Sequence, residues 1–270
     1  MKKTKISFLL LMAVVATFFS SCLGDDDNSY PIYGTGTVTN EFNSEVTLDN
    51  GLIVSLSGLN SSTLASVERI FIAGTVADET YKGEQLNPGD RLTVIPQQWL
   101  SLYDVESWNS DSEEDKKWKD FDNFSWFSGY GNGYINLAMS AECILKNENS
   151  SSSLQEPDFY YYIDNIDKDA KIVKIVLGYD NRKESFLKEN NTDLKDGYVA
   201  RTLQLAFSLS TSRLYSRLTN EFGLSDDTNI TIRFYKEYVG SNNQVEKEEL
   251  SLSPNSFKIE YLKRQYGGGY

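Results

Sequence analysis

The residue with the most clearly defined chemistry in this sequence is Cys22. It follows two serines, an apolar run over residues 6–19 and an N-terminal segment with three lysines. This order of basic, apolar and small residues is typical of a secretory signal peptide. A cysteine directly after the cleavage site is the acceptor for acyl chains such as palmitate. We therefore predict a signal peptide over residues 1–21 and a lipid anchor on the Cys22 thiol.

The N-terminus also fits two other interpretations. A membrane-spanning helix needs about 20 apolar residues, and the run over residues 6–19 is shorter. Ordinary cleavage near Ser21 would leave Cys22 as a free thiol, and Phe19 is less usual than leucine at its position before a lipidated cysteine. Lipidation is favoured because the cysteine lies where the apolar run ends.

Three aspartates, Asp25, Asp26 and Asp27, follow the predicted lipidation site. Acidic residues are common at flexible, solvated N-termini. An acidic cluster at this position also resembles the export signal that directs lipoproteins of the Bacteroidota to the outer leaflet of the outer membrane. We therefore expect residues 22–31 to form a flexible tether, and we expect the protein at the cell outer membrane, lipid-anchored and facing the cell exterior.

The composition excludes several kinds of chemistry. The 270 residues contain no histidine, so histidine-dependent hydrolysis and histidine-ligated metal sites are excluded. Once Cys22 carries lipid, Cys143 has no disulfide partner, and its apolar neighbours predict a buried position in a strand. The net charge of −13 becomes −16 when the three signal-peptide lysines are removed. This acidity argues against a nucleic-acid partner and against lying flat on an anionic bilayer.

Short strands are predicted in the first part of the mature chain. Asp49-Asn50-Gly51 separates two apolar, alternating runs, and an Asn-Gly pair in this position is a strong hairpin signal because both residues tolerate positive φ. Strand-like runs follow over residues 69–76 and 91–95. A few short strands avoid exposed edges by closing into a barrel. We therefore predict an all-β fold that begins with a small OB-like barrel over residues 32–103.

Residues 104–128 interrupt this pattern. A charge-dense run lies between Trp108 and Trp118, and strand alternation is absent. We interpret this segment as an acidic, tryptophan-rich linker between two domains. A Ser-x-x-Asp sequence, which has the spacing of a helix capping box, predicts a short helix over residues 112–119.

Longer strands follow the linker. Leucine or phenylalanine occupies every second position from Leu203 to Leu209, which is typical of a sheet with one buried face. Such strands, separated by polar turns, predict an antiparallel β-sandwich over residues 129–266. A short helix is predicted over residues 211–222 and a flexible tail over residues 267–270. The predicted strands span residues 134–145, 159–164, 171–179, 199–209, 229–237, 248–253 and 257–262.

Aromatic residues in and after the linker are candidates for ligand binding, because flat aromatic faces stack on sugar rings. The alternative, which we favour near the glycine-rich residues 127–134, is that the aromatic rings pack inward. No metal or cofactor is predicted, since the acidic run over residues 164–169 lacks the central glycine of a calcium loop and is typical of a turn. The candidate ligand-binding residues are Trp108, Trp118, Trp126, Tyr130 and Tyr134.

The order of these features resembles the NigD-like lipoproteins of the Bacteroidota outer membrane. The lipobox with its aspartates and the hairpin around Asp49-Asn50-Gly51 are similar to the start and the OB domain of that family. Tyr134-Ile135-Asn136-Leu137 and the strands over residues 172–179 and 203–209 are similar to its C-terminal β-sandwich. The resemblance implies a two-domain, all-β lipoprotein, and it implies neither an activity nor functional residues.

Three functions are compatible with the sequence. The first is a non-enzymatic surface lipoprotein that binds a glycan or a protein partner, and the absence of histidine and of a nucleophile motif favours it. The second is a structural component of an envelope or fimbria-like assembly, joined through an exposed edge strand. The third is a glycoside hydrolase that uses carboxylates alone, which would need two carboxyl groups about 5–10 Å apart in a cleft.

Overall fold

The computed structural model describes residues 30–78, 81, 83–105, 123–148, 151–155, 157–189, 193–239, 244–250 and 256–265. The predicted signal peptide, lipidation site, tether aspartates and tail lie outside these residues. The strands are β1 (Pro31–Asn40), β2 (Glu45–Leu48), β3 (Ile53–Leu56), β4 (Arg69–Val76), β5 (Arg91–Val105), β6 (Asn123–Gly131), β7 (Tyr134–Glu148), β8 (Ser151–Leu154), β9 (Asp158–Asp167), β10 (Ile172–Asp180), β11 (Tyr198–Ser210), β12 (Asn229–Val239), β13 (Val245–Leu250) and β14 (Ser256–Lys258).

Strands β1 to β5 form a closed five-stranded barrel, as predicted. The strands follow the order β3-β2-β1-β4-β5, and β3 closes the barrel by pairing in parallel with β5 from Ile53↔Arg91 to Leu56↔Val94. The Asn-Gly hairpin joins β2 to β3, with Gly51 at φ 89°. A short helix, α1 (Ser61–Leu64), closes one end, and its Asn60 side chain accepts the Thr63 N–H at 2.9 Å.

The barrel core consists of the inward-facing residues of these strands and of Leu64 from α1. Burial of these apolar side chains is the main term that stabilises such a small sheet. The buried members are Val46, Leu48, Leu52, Val54, Leu56, Leu64, Ile70, Ile72 and Val94.

Strand β5 joins the barrel to the second domain. It continues past the predicted boundary at residue 103, and its last residues pair in parallel with β11 from Phe207↔Tyr103 to Leu209↔Val105. At the other end of the predicted linker, β6 begins at Asn123. Strand structure therefore extends into both ends of the predicted linker, while residues 106–122, with the predicted helix over residues 112–119, lie outside the described residues.

The second domain is a β-sandwich. Strands β5, β11, β7 and β6 form one sheet in that order, with β8 also pairing with β7, and β13, β12, β10 and β9 form the other, with β14 pairing with β12. The core between the sheets includes Leu137, Ile175, Phe207 and Ile232. The sandwich is not wholly antiparallel, because β10 and β12 pair in parallel. The chain passes through β11 in the opposite sheet between these two strands, and this crossover returns it in the same direction.

Two helical segments pack on the sandwich. The predicted helix over residues 211–222 is confirmed as α2 (Ser212–Ser216) followed by a π-helical turn (Arg217–Glu221), with Leu214 and Leu218 buried on one face. Residues 257–262 were predicted as a strand, but β14 ends at Lys258 and a 3₁₀ turn (Ile259–Leu262) follows. The turn buries both Ile259 and Leu262, three residues apart, which an extended chain would place on opposite faces. Within the described ranges, the structure contains no helix of the length and apolar character that crossing a membrane requires.

Candidate functional site

A buried ion pair lies where the barrel meets the sandwich. Arg69 is the first residue of β4, and its side chain is fully buried, with 0% exposure. Asp49 lies in the turn after β2. The two side chains form a bidentate pair, with Arg69 Nη1 2.8 Å from Asp49 Oδ1 and Nη2 2.8 Å from Oδ2. This geometry gives the strongest form of an arginine–carboxylate contact.

The remaining N–H groups of Arg69 reach both domains. Nε donates to Ser208 Oγ on β11 at 3.1 Å, and Nη2 donates to Asn136 Oδ1 on β7 at 3.1 Å. Nη1 donates to Thr37 Oγ1 on β1 at 3.0 Å. All five guanidinium N–H groups therefore have an acceptor, so the buried cation is fully satisfied.

Asn136 connects the sandwich to Asp49 directly. Its Nδ2 donates to Asp49 Oδ2 at 2.9 Å and to Thr35 Oγ1 at 2.9 Å. Its Oδ1 also accepts from Ser208 Oγ at 2.6 Å. A buried network that is complete in this way has one arrangement of lowest energy, so it holds the barrel on the sandwich in a single orientation. We call Arg69, Asp49, Asn136, Ser208 and Thr35 the domain junction.

Tyr134 packs against this junction and is buried. The Arg69 guanidinium carbon lies 3.8 Å from the centre of its ring, and that of Arg264 lies 5.6 Å away. Burial raises the pKa of the Tyr134 hydroxyl to about 12, and the Asp104 carboxylate acts in the same direction, while the two arginines oppose it. Tyr130 stacks on Phe257, with ring centres 3.9 Å apart. Tyr134 is therefore packed inward and presents no surface to a ligand, whereas Tyr130 is half-buried and its ligand-binding role stays a prediction.

The raised pKa of Tyr134 predicts a loss of stability at alkaline pH. An ordinary tyrosine titrates near 10, so above about pH 10 the unfolded chain releases this proton while the folded chain keeps it. The free energy of unfolding then falls by about 1.4 kcal/mol per pH unit until the folded-state pKa is reached. Urea midpoints at about pH 9 and pH 11 should decline less in Tyr134→Phe than in the native protein. An equal decline in both proteins would contradict the raised pKa.

The other candidate ligand-binding residues are not brought together in the described part of the chain. Trp108 and Trp118 lie outside it. Trp126 lies on β6, and only the backbone of this residue is described. The ligand-binding role of these three residues stays a prediction.

The domain junction was missed by sequence reasoning. Asp49 has the ordinary role of a turn residue beside Asn-Gly, and Arg69 looks like a solvated charge at the start of an apolar strand. The junction residues are also far apart in sequence, since Arg69 and Ser208 are separated by 139 positions. The only sequence feature that points to the domain junction is Arg69 before a run of eight uncharged residues, and this signal is weak.

An apolar strip lies on the outer surface of the barrel. Tyr33 is 62% exposed, Ile95 49% and Leu100 44%, and Phe71 is half-buried. Strand register places these residues on one face, because Thr35, Phe71 and Leu100 form one cross-strand row and Tyr33, Ala73 and Gln98 form the next. We call Tyr33, Phe71, Ile95 and Leu100 the barrel face.

Two carboxylates of the second sheet, those of Asp164 and of the buried Glu237, lie near the same lysine. Lys247 Nζ is 2.6 Å from Asp164 Oδ1 and 3.6 Å from Glu237 Oε1. Tyr162 also donates a hydrogen bond to Glu237. The lysine occupies the space between the two carboxylates, where a glycosidase would have to admit a sugar. This group is therefore a network of paired charges in the second sheet.

Cys143 is buried, as predicted. Its Sγ lies 3.5 Å from both the Tyr179 hydroxyl and the Ala141 carbonyl oxygen. Burial raises the pKa of the thiol. A thiol that is buried and protonated is unreactive, so Cys143 serves as a small core residue.

These observations define an all-β protein in which a closed barrel is held on a β-sandwich by a buried ion pair. No family model matches the sequence, and no curated protein matches it. The chain is similar in structure to a NigD-like immunity protein from Bacteroides caccae, with 16% identity, a TM-score of 0.43, and coverage of 83% of this chain and 94% of that one. The predicted resemblance to NigD-like proteins is thus matched by a solved structure of that description.

Two further solved structures are similar to the chain. One is a protein from Bacteroides fragilis described as a candidate lipoprotein, with 14% identity, a TM-score of 0.49, and coverage of 82% of this chain and 97% of that one. The other is an uncharacterized protein from Parabacteroides merdae, with 12% identity, a TM-score of 0.44, and coverage of 85% and 99%.

Proposed function

We propose that this protein is a lipid-anchored lipoprotein of the outer membrane that faces the cell exterior and binds a glycan or protein partner without catalysis. One observation carries the proposal: the first described strand, β1, begins at Pro31, nine residues after Cys22. The sequence between them includes Asp25, Asp26 and Asp27, and its tether role is part of this proposal. A short spacing between a lipidated cysteine and a folded strand suits the anchoring of a soluble body by an acyl chain.

The absence of catalysis is supported by the partners that already engage the buried carboxylates among the described residues. The chain has no histidine. The buried carboxylate of Asp49 is committed to Arg69, and Glu237 is engaged by Tyr162 and Lys247. A carboxylate pair that acts on a glycosidic bond needs open space between its members, and Lys247 fills that space between Asp164 and Glu237.

An assembly role through strand addition is less well supported by the second sheet. Its edge strands are β9 and β13. Strand β9 carries Asp158, Asp164 and Asp167, and four of the six residues of β13 are charged. Charged side chains on an edge oppose pairing with another strand. Binding through side chains therefore suits the described surface of the second sheet better than strand addition does.

The anchor is tested by the Cys22→Ser variant. We expect the native chain to fractionate with the outer membrane and to incorporate a clickable palmitate analogue, because acylation of Cys22 supplies its membrane affinity. The variant should lose both properties completely. Intact cells treated with protease should lose the native protein, since it faces the exterior.

Cys143→Ser is the matched control, because it removes the other thiol and should leave fractionation and labelling unchanged. Retention of the Cys22→Ser variant in the membrane with undiminished labelling would contradict lipidation at Cys22. Binding is tested by crosslinking on intact cells and by glycan arrays. Recovery of the monomer alone, with no bound glycan, would contradict the binding function.

A further inference from the structure

We propose that the barrel face rests on the lipid bilayer and fixes the orientation of the anchored protein, an inference that depends on the lipid anchor proposed above. The occupant of this apolar surface is the headgroup region of the membrane to which Cys22 attaches. The sandwich then extends away from the bilayer and carries the surface that is free for a partner.

The first argument is the position of the barrel face relative to the tether. Pro31, Thr75 and Ile95 form the cross-strand row at the end of the face where β1 begins. Residues 23–30 separate this row from Cys22, and a chain of eight residues spans at most about 30 Å. The anchored end of the chain therefore enters the barrel at the edge of the apolar strip. The opposite end of the strip runs into the domain junction, where Arg69 and Leu102 are buried and Arg69 donates hydrogen bonds to Ser208 and Asn136 of the sandwich.

The second argument is charge. The body is strongly acidic, yet residues 31–40, 70–77 and 92–103 contain no charged residue. These three segments supply the outer face of β1, β4 and β5. Electrostatic repulsion between the acidic body and an anionic bilayer falls off over about 8–10 Å at physiological salt. An uncharged face is thus the side of this protein that approaches a bilayer with the least repulsion.

The third argument is area. Three exposed side chains and one half-buried ring offer at most a few hundred Å², whereas a stable protein interface buries about 800 Å² on each partner. The barrel face is too small to hold a second protein by itself. A tethered contact needs far less, because the anchor keeps the local concentration of the bilayer high. Tyrosine also suits this position, since its apolar ring and polar hydroxyl match the membrane–water interface.

The experiment places a fluorescent thiol label on the barrel face of the acylated, full-length protein. Tyr33→Cys and Ile95→Cys are the two test variants, and each position is already exposed to solvent. Phe42→Cys is the matched control, because Phe42 is an aromatic residue with 81% exposure in the turn at the far end of β1. Cys143 is buried and Cys22 is acylated, so the new thiol is the one that reacts.

The labelled proteins are reconstituted into vesicles of phosphatidylethanolamine and phosphatidylglycerol, with and without brominated lipids. Flotation with the vesicles reports the anchor independently of the label. We expect labels at positions 33 and 95 to lie within about 5–10 Å of the headgroup boundary and to lose about half of their emission to brominated lipid, with little change at position 42. Iodide in the buffer should quench the label at position 42 most strongly.

The outcomes separate the two proposals. If the protein floats but all three labels respond equally to iodide and not to brominated lipid, the membrane contact is overturned and the anchor stands. If the labels at positions 33 and 95 are shielded from iodide without quenching by lipid, a second protein copy covers the face, and the membrane contact is also overturned. A protein that does not float overturns the anchor and with it the membrane contact.

Discussion

Replacement of Arg69 by methionine is expected to lower the free energy of unfolding by about 3–5 kcal/mol. Methionine fills much of the same volume, but it leaves the Asp49 carboxylate buried at the domain junction without its cation. Asn136 Oδ1 and Ser208 Oγ also lose the hydrogen bonds that they accept from Arg69. Unsatisfied buried polar groups add to the cost of the uncompensated charge. Urea unfolding followed by circular dichroism at neutral pH measures the loss.

Arg91→Met is the matched control for this substitution. Arg91 is also the first residue of a barrel strand and also pairs with a carboxylate, at 2.6 Å from Glu45, but its side chain is 65% exposed. Exposed ion pairs contribute about 0–1 kcal/mol, so the control should unfold almost as the native protein does. Equal losses of unfolding free energy in Arg69→Met and Arg91→Met would show that burial does not increase the contribution of the Arg69–Asp49 pair to stability.

Removal of both charges should recover part of the loss. In the double variant Arg69→Met/Asp49→Leu, neither charge is left buried without a partner, and the pair is replaced by apolar contacts. We expect this variant to be more stable than Arg69→Met alone. The orientation of the domains should become less well defined, because the network that connects β4 to β7 and β11 is lost. A double variant less stable than Arg69→Met would contradict this account of the junction.

The local features of the fold follow from sequence because their causes are local. The Asp49-Asn50-Gly51 turn needs only residues that tolerate positive φ between two apolar runs, and Gly51 has this conformation. The barrel strands alternate because one face of each packs on the core. Both signals act within a few residues, so pattern analysis detects them.

The junction between the domains could not be predicted because its causes are not local. Alternation in β11 predicts one buried face, and the residues opposite Leu205, Phe207 and Leu209 were expected on a polar side. Ala206 and Ser208 are in fact buried as well, since the barrel and its arginine cover this second face. The extension of β5 to pair with β11 also results from contact between segments that are distant in sequence. Contacts between distant segments decide these features, and no pattern within either segment records them.

The candidate ligand-binding residues show the same difference between features with local causes and features set by contacts between distant segments. Glycines near Tyr130 and Tyr134 leave an open aromatic loop and inward packing as alternatives when the sequence is considered alone, and inward packing is the favoured one. The structure places Tyr134 under the Arg69 guanidinium and Tyr130 against Phe257. An aromatic residue beside glycine is exposed only if no other part of the chain covers it, and here the cover comes from residues 69 and 257.

Replacement of Gly36 by alanine is expected to destabilise the barrel by about 2–3 kcal/mol, as overpacking of a tight core does. A Cβ atom at this position would lie 2.6 Å from the Thr47 carbonyl oxygen and 2.7 Å from Val46 Cγ1. The first of these atoms belongs to the backbone of β2, which cannot move without breaking its pairing with β1. Urea unfolding of the full mature chain measures the effect.

Gly34→Ala is the matched control, since Gly34 is two residues away and lies on the same face of β1. A Cβ atom there would meet only Leu48 Cδ1 at 3.7 Å and Cδ2 at 3.9 Å, which is ordinary van der Waals contact. This substitution should leave stability unchanged or raise it by up to about 1 kcal/mol, because alanine restricts the unfolded chain. If Gly36→Ala were as stable as Gly34→Ala, β1 and β2 would have to be farther apart than the structure places them. The close approach of these strands would then not be what requires glycine at position 36.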